Sequence, residues 1–388
     1  MNRRGFFKLT GTCTGGLLLL PDFLYSFALQ QNLTAGDNSL VFIQLNGGND
    51  GLNAFIPYED ELYYKYRPNI AINKNDVIAA TNGMAFHPAL KGFAEIQQKG
   101  DLTVIQNVGY PEPNRSHFRS QEIWQTGSAS NQYLSEGWLG RFLDLQCKGH
   151  QPTAGINLDA TDNLALMGNE LNAITVAKPD RFLSHKDDEN ITLSDNPQLD
   201  FVRKVANSVT EGAENISAAL DKATPAEVSY PKSGLSKNLK WIADLIKGGL
   251  NSKVYYSSQS GYDTHNNQLG AQKNKFTELS EAVYAFYNDL KSAGKMQQVT
   301  IVVFSEFGRR VEDNGHGTDH GTAAPMFIIG GNTKGTIIGK NPNLLNLDQG
   351  DLIYETDFRS VYSALLKDKF AFDPKQIGIT NPALQGLF

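Results

Sequence analysis

Short apolar runs separated by glycine-rich loops recur along this chain, and they predict alternating strands and helices. The run Leu40-Val41-Phe42-Ile43-Gln44-Leu45 is uncharged and β-rich. It predicts a buried strand that stops at Asn46-Gly47-Gly48-Asn49-Asp50-Gly51. Beyond Pro88, the spacing of Leu90, Phe93 and Ile96 puts one apolar face on a helix, and Leu102-Thr103-Val104-Ile105 follows as a strand ending in the Gly/Pro-rich stretch from Gly109 to Asn114. Helical patterns cover 116–124, 138–145, 197–220 and 235–246, with surface loops expected at 187–195 and 224–233. The most legible unit is a strand at 253–257, a helix with Phe276, Leu279, Val283, Phe286 and Leu290 at steps of three and four, and a strand at 299–304. That βαβ crossover implies parallel neighbours. A strand at 325–329 and an amphipathic helix at 358–370 close the chain. With no internal repeat and no long linker, the expectation is a single α/β domain over 38–388, a doubly wound, mostly parallel sheet between helices, with the middle-third helices as an insertion or cap.

The first thirty residues read differently. Asn2-Arg3-Arg4-Gly5-Phe6-Phe7-Lys8 precedes a weakly apolar run from Leu9 to Leu20, broken by Gly11, Gly15 and Gly16 and stopped by Pro21-Asp22. The run is shorter than the roughly 20 apolar residues a spanning helix needs, so 1–29 is expected to be a twin-arginine signal peptide that engages the twin-arginine export machinery. The mature protein would then be periplasmic or secreted, with no stable transmembrane span.

The chain carries 35 Lys+Arg against 41 Asp+Glu, a formal net charge of -6, so nothing draws it to nucleic acid. Of its two cysteines, Cys13 lies in the expected signal and Cys147 would remain alone. An internal disulfide and a cysteine-based zinc cluster are therefore excluded from the mature chain, and any metal must be held by Asp, Glu, His and oxygen ligands.

In open α/β sheets ligands sit beyond the carboxyl ends of the strands, and the reactive side chains collect there. Asn49 and Asp50 follow the first strand, Asp263 and His265 follow the strand near 255, and Glu306, Arg309 and Arg310 follow the strand near 302. Three of the seven histidines, His265, His316 and His320, fall in two short glycine-rich loops, each beside an aspartate, Asp263 or Asp319. Such a set suits zinc, manganese, magnesium or calcium, histidine favouring the first two. A bound dication would activate water and neutralise a phosphoryl or sulfuryl group, with Arg309 first among the anion-binding candidates. Ser116 stands at an expected helix N-cap. It reads either as that cap or as a nucleophile at a positive helix end, with His117 and Arg119 facing the same pocket. His87, His150 and His185 show no partner pattern and read as surface residues. The glycine fingerprint of a dinucleotide site is absent at Gly47-Gly48.

Taken in order, the twin-arginine start, Leu45-Asn46-Gly47-Gly48-Asn49-Asp50-Gly51-Leu52-Asn53, Asn114-Arg115-Ser116-His117-Phe118, Gly261-Tyr262-Asp263-Thr264-His265, Ser305-Glu306-Phe307-Gly308-Arg309 and Gly317-Thr318-Asp319-His320-Gly321 resemble the exported bacterial family called domain of unknown function 1501. The resemblance implies a fold related to alkaline phosphatases, sulfatases and cofactor-independent phosphoglycerate mutases, an alkaline-phosphatase-like three-layer sandwich. It implies a metal-dependent hydrolase of phosphate or sulfate esters, small or glycan-borne, with Asp50, Asp263, His265, Glu306 and His320 at metal-ligand positions; Asp319, beside His320 in its loop, is a further candidate ligand from its residue type. Catalysis would fall to Ser116 and His117, and substrate contacts to Asn49, Arg115, Arg119 and Arg309. Phe307 departs from the pattern, standing where those enzymes have histidine. A second reading is a non-catalytic envelope binding protein that retains the fold.

Overall fold

In a computed structural model, residues 38–147, 149–182 and 197–388 are described; the expected signal segment, His185 and the loop at 187–195 lie outside them. The strands are β1 (Ser39–Asn46), β2 (Leu102–Gly109), β3 (Gly155–Asn157), β4 (Ala173–Thr175), β5 (Val254–Ser260), β6 (Val299–Phe304), β7 (Ala324–Gly330), β8 (Ile337–Ile338) and β9 (Thr356–Asp357). Together they form one sheet in the order β8-β2-β7-β6-β1-β5-β3-β4, with β9 also on β2. In it β7 is antiparallel to both neighbours, and every other pairing is parallel.

Strands buried on both faces need apolar residues at consecutive positions, which is why β1 reads as a continuous run. Val41, Ile43 and Leu45 enter one core, and Leu40 and Phe42 the other. The same alternation divides β6, with Val299, Ile301 and Val303 opposed to Val302 and Phe304. The first core is covered by helices α1 (Lys91–Gln98), α5 (Gly234–Lys247) and α6 (Gln268–Ser292); the second by α2 (His117–Thr126), α3 (Trp138–Gln146) and α7 (Phe358–Phe370). The protein is thus a three-layer α/β sandwich with a mostly parallel sheet. Helix α4 (Pro197–Leu220) adds Ile216 and Ala219 to the first core. With β3 and β4 extending the sheet, the middle third is built into the sandwich.

Two expectations change. β5 and β6 are parallel, but β1 lies between them, Val41 pairing with both Tyr255 and Ile301; a crossover sets direction without requiring adjacency. His87, read as a surface residue, is 3% exposed. Its Nδ1 accepts the Ala89 N–H at 3.0 Å and its ring meets Phe276 edge-on. Burial, the main cause, pushes its pKa down to about 4.

The topology decides where chemistry gathers. β1, β2, β5 and β6 point the same way, so their carboxyl ends share one edge of the sheet; β7 runs opposite and starts from that edge. The loops after β1, β2, β5 and β6 and the loop before β7 therefore meet, and they carry residues 46–50, 110–117, 261–265, 305–309 and 315–323.

Candidate metal and active site

The loop after β1 fits only because it has glycines. A Cβ on Gly47 would lie 2.3 Å from the Asp263 nitrogen, and one on Gly48 would lie 2.2 Å from the Phe307 ring; both residues have positive φ, 121° and 69°. Arg309 then ties the loops together. Its buried guanidinium donates from Nε to the Gly48 carbonyl at 2.7 Å, from Nη1 to Thr318 at 2.7 Å, and from Nη2 to Gly47 at 2.6 Å, Tyr262 at 3.1 Å and Asp263 Oδ1 at 2.6 Å. A bridge between Arg309 and His320 brings the last loop alongside.

Asp263 Oδ1 is the focus. His265 Nε2 lies 2.9 Å from it, His320 Nε2 3.1 Å and His117 Nε2 3.6 Å, while the His265 and His320 Nε2 atoms are 3.0 Å apart. The opposite ring nitrogens settle the tautomers. His320 Nδ1 faces the Arg115 carbonyl at 2.8 Å, an oxygen that only accepts. His117 Nδ1 meets Glu306 Oε1 at 2.8 Å and His265 Nδ1 meets Asp319 Oδ1 at 2.9 Å, both carboxylates. All three rings therefore carry a proton on Nδ1 and turn Nε2 inward, the arrangement in which a metal-binding histidine is oriented by an outer acceptor.

Neutral rings of that tautomer aim bare lone pairs at one another and at a carboxylate, an arrangement that a cation relieves. His117 Nε2 is buried without a hydrogen-bond partner. The ligand atoms of His117, Asp263 and His320 all lie within 4.8 Å of one another. Donors on a tetrahedral ion with bonds of about 2.0–2.1 Å sit roughly 3.3 Å apart, close to the separations seen here. His117, Asp263 and His320 fit a divalent metal with two imidazoles and one carboxylate, and His265 stands beside Asp263 and His320.

Both carboxylates at the cluster are held in the ionised form. Burial works to raise the Asp263 pKa, but the Arg309 guanidinium hydrogen-bonded to it outweighs that and brings it down to about 2. Burial likewise opposes ionisation of Glu306, and the His117 and Gly47 hydrogen bonds overcome it, so its pKa is lowered. The same Glu306 bond is the largest cause raising that of His117.

The expected site residues separate into groups. Asp263, His265 and His320, expected as ligands, lie together, and His117, expected as a catalytic group, lies beside them. Glu306 and Asp319 touch the outer nitrogens of His117 and His265 and stand one layer back. Asp50 is buried; its Oδ2 is paired with Arg67 Nη1 at 2.6 Å and also accepts from Gln268, while its Oδ1 is buried with no hydrogen-bond partner. Arg309 is corrected as a substrate contact because its guanidinium is spent on loop carbonyls and Asp263. Arg119 is corrected likewise: it donates to Glu122, Ser130 and Gln132 and stacks over Tyr133 at 3.8 Å. Arg115 pairs with Asp351, and its carbonyl holds His320. Asn49 is buried, donating its N–H to Ser305 Oγ at 2.8 Å and accepting from Gln272.

Ser116 is exposed at the N-cap of α2, but its side chain makes no cap bond. Its N–H goes to Asn114 Oδ1 at 2.8 Å. The first-turn N–H groups, which lack intrahelical partners, are thus uncapped by Ser116 beside His117. Sequence reasoning missed Arg67, which stands two residues after Lys65 in a mixed Tyr-Lys-Tyr-Arg stretch and carries no local sign of burial. It also missed the contact made by Phe307, whose ring lies 4.9 Å from that of His117 and 5.0 Å from that of His320.

The fold and cluster define an α/β protein with a histidine-aspartate cluster at the carboxyl edge of its sheet. Residues 102–352 match the family described as protein of unknown function (DUF1501), and the chain belongs to that family. No curated protein sequence matches it. Among solved structures it is similar to the phosphonate monoester hydrolase SpPMH from Silicibacter pomeroyi, at 10% identity over 90% of this chain and 76% of that one, TM-score 0.42. It is also similar to the PsFucS1 sulfatase from Pseudoalteromonas sp., at 10% identity over 94% and 73%, TM-score 0.42. A protein in the alkaline phosphatase superfamily from Vibrio parahaemolyticus matches at 10% identity over 90% and 71%, TM-score 0.42.

Proposed function

We propose that this protein is an exported, metal-dependent hydrolase of phosphate or sulfate esters. The observation that carries the reading is the convergence of three Nε2 atoms on Asp263 Oδ1, each ring fixed from behind by Glu306, Asp319 or the Arg115 carbonyl. His117, Asp263, His265 and His320 would hold the ion, zinc or manganese by their donor type. The ion would supply charge neutralisation at the ester's phosphoryl or sulfuryl oxygens. The uncapped first turn of α2 would add N–H donors to the same anion. Ser116, next in the chain to His117, would be the nucleophile that attacks phosphorus or sulfur. In the net reaction water adds across the ester bond, giving the free alcohol and phosphate or sulfate.

Export by the twin-arginine route, to the periplasm or beyond the cell, rests on the Arg3-Arg4 segment. Among the described residues no helix is long and apolar enough to cross a membrane.

The second reading, a non-catalytic binding protein of the envelope, is favoured by one finding: Arg115, Arg119 and Arg309 are all committed elsewhere. The test is release of nitrophenol from p-nitrophenyl phosphate and p-nitrophenyl sulfate by metal-loaded protein, EDTA-treated protein, and the Asp263→Ala and Ser116→Ala variants. Metal-dependent release that disappears in Asp263→Ala supports the hydrolase. A fully metallated protein inert towards both esters supports the binding protein.

A further inference from the structure

Beside the metal cluster lies a second concavity of about 490 Å³, bounded by the carboxyl ends of β1 and β5, the loop at 159–164 and one face of α2, within the volume range of small-molecule sites. Phe118, Gln121, Glu122 and Gln125 line it at helical steps of three and four, so a single face of α2 is presented. The two sites share a wall. Gln121 Nε2 reaches Glu306 Oε1 at 3.4 Å, and Asn46 immediately precedes Gly47, whose N–H bonds the same oxygen at 2.9 Å.

The chemistry of this lining differs from that of the cluster. Carboxylates come from Glu122, Asp159 and Asp162, amides from Gln44, Asn46, Gln121, Gln125 and Asn163, and hydroxyls from Thr161, Ser258 and Ser260; among the described residues no lysine or arginine lines it. An anionic ligand would meet the carboxylates of Asp159 and Asp162, which accept from Ser258 and Thr175 rather than from a cation, while Glu122 is already paired with Arg119. Hydroxyl groups, which both donate and accept, match amides and carboxylates in turn. Asn46 Oδ1 is buried with no hydrogen-bond partner, an acceptor that lacks a donor. Phe118 is 84% exposed although it belongs to a helix with a buried face, and its ring offers a flat apolar surface at the rim.

We propose that this pocket is a subsite for an uncharged polyhydroxylated group, a sugar ring, with Phe118 as the stacking platform and Asn46, Gln121, Gln125 and Asp159 as hydroxyl partners. Its role in holding the alcohol part of an ester rests on the hydrolase reading; its affinity for the sugar does not. The pocket accordingly selects against a second phosphate or sulfate on the ring it holds.

The test is saturation-transfer NMR on the mature protein, metal-loaded and EDTA-treated. The probes are methyl glucopyranoside, methyl galactopyranoside, methyl N-acetylglucosaminide, glucose 6-phosphate and galactose 6-sulfate. The expected result is saturation of at least one uncharged glycoside in both states, weakened about tenfold or more by Phe118→Ala and by Gln125→Ala, with metal content and circular dichroism unchanged. Phe118→Ala removes an exposed side chain and leaves the core intact. Absence of saturation for every uncharged glycoside would overturn the proposal, as would preference for the charged sugars by the EDTA-treated protein or indifference to both substitutions. A protein that binds glycosides but hydrolyses no ester keeps the subsite and loses the hydrolase; an active hydrolase that binds none does the reverse.

Discussion

His87 offers a stability prediction with a worked magnitude. The imidazole is buried between the start of α1 and Phe276, and its Nδ1 is occupied in accepting the Ala89 N–H. Taking up a proton there would place a charge in an apolar surrounding and remove that acceptor. The folded-state pKa, driven down mainly by burial, is about 4, against about 6.5 in the unfolded chain. The unfolded state therefore binds more protons between these values, and the stability lost grows as pH falls from 6.5 towards 4. At pH 7 His87 costs almost nothing. By pH 5 the difference in proton binding amounts to about 2 kcal/mol, and below pH 4 it levels off near 3 kcal/mol. The direct assay is a histidine NMR titration of His87, paired with urea unfolding at pH 7 and pH 5 for the wild type and His87→Asn, which keeps an acceptor near the Ala89 N–H. The variant should lose about 2 kcal/mol less than the wild type between the two pH values. An NMR pKa near 6.5, or equal losses in both proteins, would refute the reasoning.

Two further outcomes test how the site is supported. Gly48→Ala places a Cβ 2.2 Å from the Phe307 ring on a left-handed backbone, and should destabilise the fold by about 1–3 kcal/mol while lowering metal occupancy, since Phe307 packs on His117 and His320; an unchanged urea midpoint would show that the loop gives way freely. Arg67→Met removes the cationic partner of the buried Asp50 carboxylate and should cost about 3–5 kcal/mol, whereas Asp50→Asn, measured by elemental analysis, should retain the wild-type metal content because Arg67 and Gln268 already hold Asp50 Oδ2; metal loss in Asp50→Asn would place it in the coordination sphere.

Much of this fold is readable because strands buried on both faces must be continuously apolar. β6 and α7 begin and end where the sequence pattern places them. β2 runs on to Gly109 past the expected Ile105, since Gln106 and Asn107 are polar yet buried and mimic a loop. β3 and β4, at three residues each, are too short for any periodicity to register. The direction of β7 and the insertion of β1 between β5 and β6 depend on long-range pairing that no local window contains. At the site, Asp263, His265 and His320 are legible because glycine-rich loops at strand ends rarely gather imidazoles for packing reasons alone. The roles of Asp50 and Arg309 are not, because each is decided by partners far along the chain: Arg67 and Gln268 for the first, and the carbonyls of Gly47, Gly48, Tyr262 and Thr318 for the second. His117 reads as a helix-start residue facing a pocket, and the strand order β2-β7-β6-β1-β5 brings its ring to Asp263 in the loop after β5.

The central claim is that Asp263 and three inward-facing Nε2 atoms bind a divalent metal. Elemental analysis of tag-free mature protein, purified beside the Asp263→Ala/His320→Ala double variant, tests it most directly. The account predicts about one zinc or manganese ion per wild-type chain and none in a folded double variant. A metal-free wild type that also takes up neither ion on dialysis, or a variant as fully loaded as the wild type, would contradict it.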